Sequence, residues 1–506
     1  MKKHNLIKVL VISILVVVLL SWILPTASYQ YGSLVEAERA QIGFYELFTY
    51  PTLTFSYFGY ILLFALVTGG FYGILKKTGV YRKMLDKIVT KFKGKENIFL
   101  GITISLIAII TSVSGLNFAM FFLFPMIISL VLLMCYNKLV AATVTLGGVF
   151  VGYMGTTLGE QNVAYINSIL GTTYQDELLT KVVILVIGIV LLVFNVLRYA
   201  KKVKVEKIVD EDGLIPTEDA MTTVNEVIEE KVVKAKAKEK NKKNAKSEKK
   251  DTKKKVEKKA KVKTKKIWPM VVVFDLLLVV MILSFLPWSS SFDITWFDDA
   301  LTAISEFQVF GFPLFGKLLG GVLAFGNWAM NDLTIIIFIA SAIIALIYRV
   351  KVSEYISSFI EGAKKMLLPG FLMMFIYAIL IMVTYHPFQL VITKALLGLT
   401  EGFNVVTMGI VAILSSIFNI DTLYVAQSTI PYVTSVITDT TLYPLISVMF
   451  QSLYAFTMLF APTSLLLLGT LAYLKVPYGE WLKHIWKFLL QMLIILFVIF
   501  TIILLV

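Results

Sequence analysis

Residues 98–136 read IFLGITISLIAIITSVSGLNFAMFFLFPMIISLVLLMCY and contain no charged side chain. The block is too long for one transmembrane helix, which needs about 20 apolar residues. Basic residues flank it on both sides, Lys95 before and Lys138 after, and Lys and Arg accumulate in cytoplasmic loops. Both ends are therefore predicted to be cytoplasmic, so the block is either two tight spans or a re-entrant hairpin. Its polar and flexible centre, 111–117, favours a hairpin tip at membrane depth.

The composition of the whole chain agrees with a membrane solvent. Of 506 residues, 58% are hydrophobic and 16% are charged, and the mean hydropathy is +0.82. A soluble domain of this size needs far more polar surface. The apolar stretches are too long and unbroken for barrel strands, and lipid requires every backbone group to be paired within its segment. The chain is therefore predicted to be an all-α polytopic protein of the cell membrane.

Several classes of chemistry find no support in the sequence. The single Cys135 excludes an intramolecular disulfide and any CxxC site, and the three scattered histidines disfavour a histidine metal site. No P-loop motif is present. A membrane-embedded phosphate-transferring enzyme would need clustered Asp, His or Arg at a membrane face, and none is seen. We therefore expect neither an enzyme nor a cofactor, apart from Na⁺ or H⁺ as a coupling ion.

The first half is oriented by its charges. Lys2 and Lys3 precede an apolar run at 6–24, which we expect to be an uncleaved first helix with a cytoplasmic N-terminus. The alternative is a signal peptide, for which residues 26–28 would be the cleavage site. The acidic stretch at 26–52 is predicted to be external. A span at 54–75 and a basic surface helix at 82–95 follow, and then an interrupted span at 139–171 and a returning span at 178–199.

A lysine-rich, low-complexity segment at 201–266 separates the two halves, 1–200 and 267–506. Such a composition is typical of a disordered linker, and its charge places it in the cytoplasm. It could bind nucleic acid or anionic lipid, but without interleaved aromatic residues a solvated tether near the anionic leaflet is favoured, with no nucleic-acid partner.

The second half repeats the order of the first from the opposite side. After spans at 268–286 and 332–348 and a surface helix at 353–365, an extra crossing at 366–385 brings the next block in from outside. A hairpin-length block with a polar centre then precedes a long span broken in its middle and a last span that leaves the C-terminus outside; these segments are 404–438, 443–475 and 486–505. The pattern predicts an inverted repeat with about nine full spans, two re-entrant helical hairpins and two broken transmembrane helices. Secondary transporters use this architecture and bind substrate where broken helices meet near the midplane.

Three segments resemble the ion transporter superfamily, specifically its branch of C4-dicarboxylate anaerobic carrier-like proteins and arginine/ornithine antiporters. They are 69–79 (GGFYGILKKTG), 359–367 (FIEGAKKML) and the stretch from 461–464 (APTS) to 476–483 (VPYGEWLK). The similarity covers nearly the whole chain except the linker. It implies alternating access, with substrate and cation sites at the hairpin tips and broken helices. Relatives in the superfamily are often dimers, which makes a homodimer an expectation by analogy.

Carried onto this sequence, the resemblance gives a candidate set for substrate and ion binding, with Na⁺ expected at the hairpin tips. Its members are Ser112, Ser114, Asn117, Gly155, Thr156, Thr157, Asn419, Asp421, Thr422, Pro462, Thr463 and Ser464, to which the first break adds Glu160 and Asn162. After 155–158 the family tends to continue with Asn-Pro, whereas this chain continues with Gly159 and Glu160. The first-half site is therefore expected to differ in its chemistry.

Two carboxylates bear on the substrate. Asp421 is the only charge in the second hairpin block, and an intramembrane carboxylate usually has a functional partner. The alternative is that it caps a helix N-terminus beside Thr422. Glu160 lies either in the break or at the outer surface. If both face the cavity, a cationic or zwitterionic solute is favoured over a bare dicarboxylate.

The sequence thus predicts a symporter or exchanger of a small carboxylate-bearing solute in the lipid bilayer, with an amino acid favoured. One alternative is a C4-dicarboxylate carrier of the same fold. Another is a channel or a scaffold that uses the basic linker. The polar tip residues also have a structural alternative, because small hydroxyl side chains let membrane helices pack closely.

Overall fold

The computed structural model describes residues 5–159, 163–203 and 265–505. The helices of the first half are, in order, α1 (Asn5–Ile23), α2 (Glu46–Thr78), α3 (Tyr81–Lys91), α4 (Glu96–Ser114), α5 (Phe124–Leu133), α6 (Lys138–Ala142), α7 (Gly148–Met154), α8 (Ala164–Leu170) and α9 (Leu178–Ala200). A 3-10 turn, Phe118–Leu123, leads into α5, and a π-helical turn, Thr143–Gly147, joins α6 to α7.

The second half begins with four helices on the way to the first re-entering span and continues through ten more. They are α10 (Trp268–Phe285), α11 (Trp288–Phe292), α12 (Trp296–Glu306), α13 (Leu314–Leu319), α14 (Met330–Ile347), α15 (Val352–Lys365), α16 (Leu367–Tyr385), α17 (Gln389–Leu397), α18 (Val405–Phe418), α19 (Thr422–Ser428), α20 (Ile430–Val436), α21 (Tyr443–Met458), α22 (Leu465–Leu474) and α23 (Tyr478–Leu505). A 3-10 turn, Thr440–Leu442, precedes α21.

In the described part of the chain, eight helices are long and apolar enough to cross a membrane. They are α1, α2, α4, α9, α10, α14, α16 and α23. Helices α18 and α19 would together form a ninth, but a bend of 120° separates them at residues 419–421. The multi-pass helical architecture predicted from hydropathy is confirmed. The inverted repeat and the re-entrant course of the two blocks stay predictions, as does the division at 201–266.

The prediction of an all-α chain is wrong in one place. Residues Thr26–Gln30 and Ser33–Ala37 form an antiparallel β-hairpin, β1 and β2. Its two-residue loop, Tyr31 and Gly32, has positive φ at both positions, 51° and 79°, as a type I′ turn requires. The hairpin packs against α17 outside the long helices, so it fits a segment that we expected to be external.

Helix α2 lies at the centre of a group of packed helices. It packs against α14, α15 and α16, and it ends at Gly79, whose φ of 68° lets its N–H bond the carbonyl of Lys76. Its closest neighbour is α15, the surface helix predicted at 353–365. A Cβ on Gly73 would lie 2.2 Å from the Ser358 carbonyl oxygen, and one on Gly362 would lie 2.1 Å from the Gly69 carbonyl oxygen. Only glycine allows this approach.

Candidate functional site

A cavity of about 180 Å³ lies where α2, α7, α16, α21 and both interrupted blocks meet. This volume is many times the ~10–15 Å³ that one water needs. Its lining residues are Tyr60, Ile61, Asn117, Phe118, Phe150, Tyr153, Met330, Tyr377, Ile420, Asp421, Tyr454, Met458, Ser464, Leu465 and Leu466. The lining thus includes three of the residues predicted for binding: Asn117, Asp421 and Ser464.

These three residues share one local role, because each is the N-cap of a helical segment. Asn117 accepts a hydrogen bond from Phe118 N at the start of the 3-10 turn before α5. Asp421 Oδ1 accepts from Leu423 N, 3.1 Å away, at the start of α19. Ser464 Oγ accepts from Leu467 N, 3.4 Å away, at the start of α22. Since helix N-termini carry unpaired N–H donors and a partial positive charge, the cavity wall favours anionic groups.

The first hairpin-length block is fastened to the first break by Ser112. Its hydroxyl donates to the Gly155 carbonyl at 2.6 Å and lies 3.1 Å from Thr157 Oγ1, while Thr157 N donates to the Ser112 carbonyl at 3.0 Å. Close to this contact two glycine backbones touch, because a Cβ on Gly159 would lie 2.1 Å from Gly115 N. Ser112, Gly155 and Thr157 therefore hold the block and the break together and do not line the cavity.

The second block is fastened to the second break in a comparable way. Thr463 Oγ1 donates to the Ile417 carbonyl at 2.8 Å, and the Tyr454 hydroxyl donates to the Ile420 carbonyl. Asn419 does not face the cavity. Its amide donates to Gln389 Oε1 at 2.7 Å and to Ser428 Oγ at 3.0 Å, which ties the 120° bend to α17 and to the end of α19.

The two halves are joined directly at the cavity. The Tyr153 hydroxyl donates to Thr422 Oγ1 at 3.4 Å. From α21, Gln451 Nε2 donates to the carbonyls of Met154 and Thr156, both at 3.2 Å, and Ser452 Oγ donates to the Met154 carbonyl at 2.9 Å. The carbonyls left unpaired where α7 ends are thus satisfied by the other half, as a helix end in lipid requires.

Asp421 is surrounded by tyrosines. Five of them lie close enough to interact electrostatically with its carboxylate, and they come from α2, α7, α16, α19 and α21: Tyr60, Tyr153, Tyr377, Tyr424 and Tyr454. In the described residues no Lys, Arg or His lines this cavity. The polar surface offered to a ligand therefore consists of hydroxyls, amides, helix N-termini and one carboxylate.

The remaining predicted residues lie around the cavity without lining it. Ser114 Oγ donates to the Ile110 carbonyl at 2.6 Å, Thr156 Oγ1 donates to the Tyr153 carbonyl at 2.9 Å, and Pro462 lies in the loop between α21 and α22. Glu160 and Asn162 lie outside the described residues. No group of three or more His, Cys, Asp or Glu that could hold a metal ion occurs within 5–159, 163–203 and 265–505.

The five tyrosines around Asp421 were not predicted from the sequence. They stand singly on five different helices among 23 tyrosines in the chain, so no local pattern marks them. One signal was available, because Tyr153 immediately precedes the break after Met154. The only way to connect it to Asp421 is through the packing of α7 against the second half.

A second cavity, of about 380 Å³, lies at the C-terminal end of α2 between α2 and α15. Its charged lining residues are Lys76, Lys77, Lys365 and Glu361, with Ser357, Ser358, Tyr72 and Tyr473 among the others. Lys77 pairs with Glu354 at 3.4 Å. Tyr72 is twelve residues beyond Tyr60, or about 18 Å along the helix, so the two cavities are distinct chambers along α2.

Comparison with known proteins matches a family model and a solved transporter structure. A family model described as C4-dicarboxylate anaerobic carrier (DcuC) matches residues 4–506. None of the curated proteins matches. The solved YdaH transporter of Alcanivorax borkumensis is 12% identical, and the alignment covers 99% of this chain and 98% of that chain with a TM-score of 0.39.

Proposed function

Because the chain belongs to the C4-dicarboxylate anaerobic carrier family, we propose that it moves C4-dicarboxylates across the cytoplasmic membrane as a secondary transporter. The match extends over nearly the whole sequence, and the chain is a multi-pass membrane carrier. We place substrate binding in the cavity lined by Asn117, Asp421 and Ser464.

The observation that carries this placement is the convergence of capped helix starts on one cavity. Two of the segments are long enough for a substantial dipole, the 16-residue stretch Phe118–Leu133 and the 10-residue α22. Both segments begin at the cavity, and we propose that each helix start accommodates one carboxylate of a dicarboxylate ligand. A site built on backbone dipoles needs no basic side chain, in agreement with the lining.

Asp421 has a defined part in this proposal. Its carboxylate caps α19, so part of its charge is compensated by the helix N-terminus. A dianion next to it would still be repelled unless a cation enters with it. We therefore propose that Asp421 takes up H⁺ or contributes to a Na⁺ site together with carbonyls at the interruptions, which couples substrate binding to a cation.

An amino-acid substrate is the second candidate, and the one observation that favours it is Asp421 in the cavity lining. An α-carboxylate at a helix N-terminus and an ammonium at Asp421 would both be satisfied there. The family match does not support this preference, so the dicarboxylate is proposed first. The two substrates make opposite demands on Asp421, and this difference makes them separable.

We propose further that the cavity at the end of α2 is the cytoplasmic entrance. Three lysines and one glutamate line it and Glu354 pairs with Lys77, so the local net charge is +1, which attracts a dianion. Lys77 lies at the end of α2 and Lys365 at the end of α15. We propose that both helix ends are on the cytoplasmic side. In this orientation the N-terminus and the linker are cytoplasmic and the C-terminus is external.

The test is uptake of a labelled C4-dicarboxylate such as succinate by proteoliposomes containing the purified full chain. Each preparation is measured with and without a Na⁺ gradient, a pH gradient and unlabelled dicarboxylate inside. Arginine, ornithine and neutral amino acids serve as competitors and as labelled substrates in parallel. Protein-free liposomes and the Asp421→Asn variant are the controls.

Saturable dicarboxylate uptake that amino acids do not inhibit is the expected result. Acceleration by internal dicarboxylate would indicate exchange, and acceleration by an ion gradient would indicate symport. Uptake of an amino acid that is lost in Asp421→Asn, together with no dicarboxylate uptake, would refute the proposed substrate. Absence of transport for every solute would favour the scaffold alternative.

The orientation has its own test. In a Cys135→Ser background, single cysteines at Ser33 in the β-hairpin and at Lys201 after α9 are labelled with a membrane-impermeant maleimide in intact cells. Labelling is expected at position 33 only. Labelling at position 201 alone would reverse the proposed orientation.

A further inference from the structure

A third cavity lies at the boundary between protein and lipid, away from the transport site. It has a volume of about 180 Å³ and lies between α9 and α23. Both helices mostly face the lipid. Only 33% of the apolar stretch of α9 and 22% of that of α23 is buried inside the protein. An opening between two such helices is reached from the bilayer rather than from the substrate pathway.

The charge of this cavity has one sign. Its lining includes Arg198, Lys202 and Lys487, all exposed, together with His484 and no acidic residue. No ion pair to any of the three cations is recorded among the residues that the structure describes. The nearest acid on α23 is Glu480, seven residues before Lys487, and it does not line the cavity. The electrostatic potential in this cavity is therefore positive.

The polar floor of the cavity is built by hydrogen bonds between different helices. Thr143 Oγ1 lies 2.8 Å from His484 Nε2, and Asn195 Nδ2 donates to Gln491 Oε1 at 3.0 Å. The Tyr199 ring contacts the His484 ring edge-on, with 4.3 Å between centroids. The last two contacts join α9 to α23, so the backbone positions that carry Arg198 and Lys487 are held close to one another.

Helix lengths place the cations at the edge of the hydrocarbon layer. Helix α23 has 28 residues, or about 42 Å at ~1.5 Å per residue, against a hydrocarbon core of ~30 Å. Its first two to three turns therefore extend beyond the core, and Lys487 lies near their end. Arg198 lies in the last turn of α9, and Lys202 lies two residues after its end. Beside them Trp486, over whose ring Lys487 Nζ lies at 5.6 Å, is a residue typical of the membrane interface.

We propose that this cavity binds the phosphate headgroup of an anionic phospholipid of the inner leaflet. Basic pockets between transmembrane helices on the cytoplasmic side are suited to such headgroups, and Arg198 offers the planar donor pair that matches phosphate oxygens. The acyl chains would lie along the apolar outer faces of α9 and α23. The bound lipid would bridge the two helices that close the two halves of the chain.

The test uses the purified full chain and native mass spectrometry after titration with phosphatidylglycerol or phosphatidylcholine. The triple variant Arg198→Gln, Lys202→Gln, Lys487→Gln is compared with a matched triple variant on the exposed face of α3, Lys83→Gln, Lys87→Gln, Lys91→Gln. Both lose the same charge on the side proposed to be cytoplasmic, and both retain the basic linker. The difference between them therefore reports the cavity alone.

The cavity variant is expected to bind phosphatidylglycerol on the order of 100-fold more weakly, because each cation near the surface contributes about a factor of five. The α3 variant is expected to bind like the wild type, and phosphatidylcholine is expected to leave all three chains largely unoccupied. If the triple cavity variant does not fold, Lys487→Gln alone keeps the test, with about a fivefold loss.

Equal weakening in both triple variants would overturn the proposal, because the lipid would then follow net charge. Binding of phosphatidylcholine to the wild-type chain as tightly as phosphatidylglycerol would overturn the proposal as well. Displacement of phosphatidylglycerol by millimolar inorganic phosphate would show a free-anion site in place of a lipid site.

Discussion

The hydroxyl of Tyr153 donates a hydrogen bond to Thr422 Oγ1 across 3.4 Å, and the two residues belong to opposite halves of the chain. Tyr153 ends the last full turn of α7 before the first break, and Thr422 begins α19 after the 120° bend. The contact lies beside Asp421, in the wall of the proposed substrate cavity. Any movement of one half relative to the other during alternating access must act on this bond.

Tyr153→Phe removes the bond and keeps the ring. We expect a loss of about 0.5–1.5 kcal/mol in unfolding free energy, typical of one neutral hydrogen bond, with a several-fold loss of dicarboxylate uptake. Thermal unfolding and proteoliposome uptake measure the two effects. Tyr348→Phe removes a comparable bond to the Lys266 carbonyl, outside the cavity, and should leave uptake unchanged. Equal loss of uptake in both variants would contradict a role for the inter-half contact.

Asp421 can be dissected by two substitutions. Asparagine caps a helix as well as aspartate does, so Asp421→Asn should leave the unfolding temperature nearly unchanged, whereas Asp421→Ala should lower stability by about 0.5–2 kcal/mol. For a cation-coupled dicarboxylate carrier, Asp421→Asn should retain uptake but lose its dependence on the ion gradient. Uptake that keeps the wild-type ion dependence in Asp421→Asn would remove Asp421 from coupling.

Gly159→Ala should separate the first block from the first break. The new Cβ would lie 2.1 Å from Gly115 N, a backbone atom that cannot rotate away. Forcing atoms into a packed site costs about 1–3 kcal/mol, so we expect a clearly lower unfolding temperature and lost uptake. Gly59→Ala is the control, because a Cβ there meets nothing within 4 Å. A Gly159→Ala protein as stable as Gly59→Ala would show that the glycine contact is not maintained.

Gln451→Met should leave carbonyl groups at the end of α7 without a hydrogen-bond donor. Methionine has a similar shape but cannot donate to the carbonyls of Met154 and Thr156. Leaving buried carbonyls without donors costs about 1–3 kcal/mol. Ser452→Ala removes one bond to Met154 only and should cost less. The unfolding temperatures of the two variants in detergent provide the comparison, and a larger effect from Ser452→Ala would contradict this ranking.

Deletion of 205–262 separates the carrier from the scaffold alternative. A carrier whose transport machinery lies in the two membrane halves should retain dicarboxylate uptake without this segment. A scaffold that uses the basic linker should lose its partner while its fold persists. Uptake by proteoliposomes is the decisive measurement, and abolished uptake with an unchanged unfolding temperature would show that the linker takes part in transport.

Much of the fold follows from local properties of the sequence. A run of about 20 apolar residues forms a helix in lipid because no other backbone conformation satisfies its own hydrogen bonds, so hydropathy located the spans. Polar interruptions with a helix-breaking residue, glycine in 111–117 and proline in 461–464, located the ends of helices at the cavity. Resemblance in short segments pointed to a family branch, of which the C4-dicarboxylate carrier part is confirmed.

The tertiary structure decided which polar residues face the cavity. Sequence could name Ser112, Asn117, Asn419 and Asp421 together, since all four lie at interruptions. In the folded chain Ser112 and Asn419 form hydrogen bonds between segments, whereas Asn117 and Asp421 line the cavity. Packing also brought Tyr60 and Tyr377 beside Asp421 from two different helices. Helical periodicity fixes only which residues share a face; the partner of that face is chosen by packing between segments hundreds of residues apart, which no local pattern encodes.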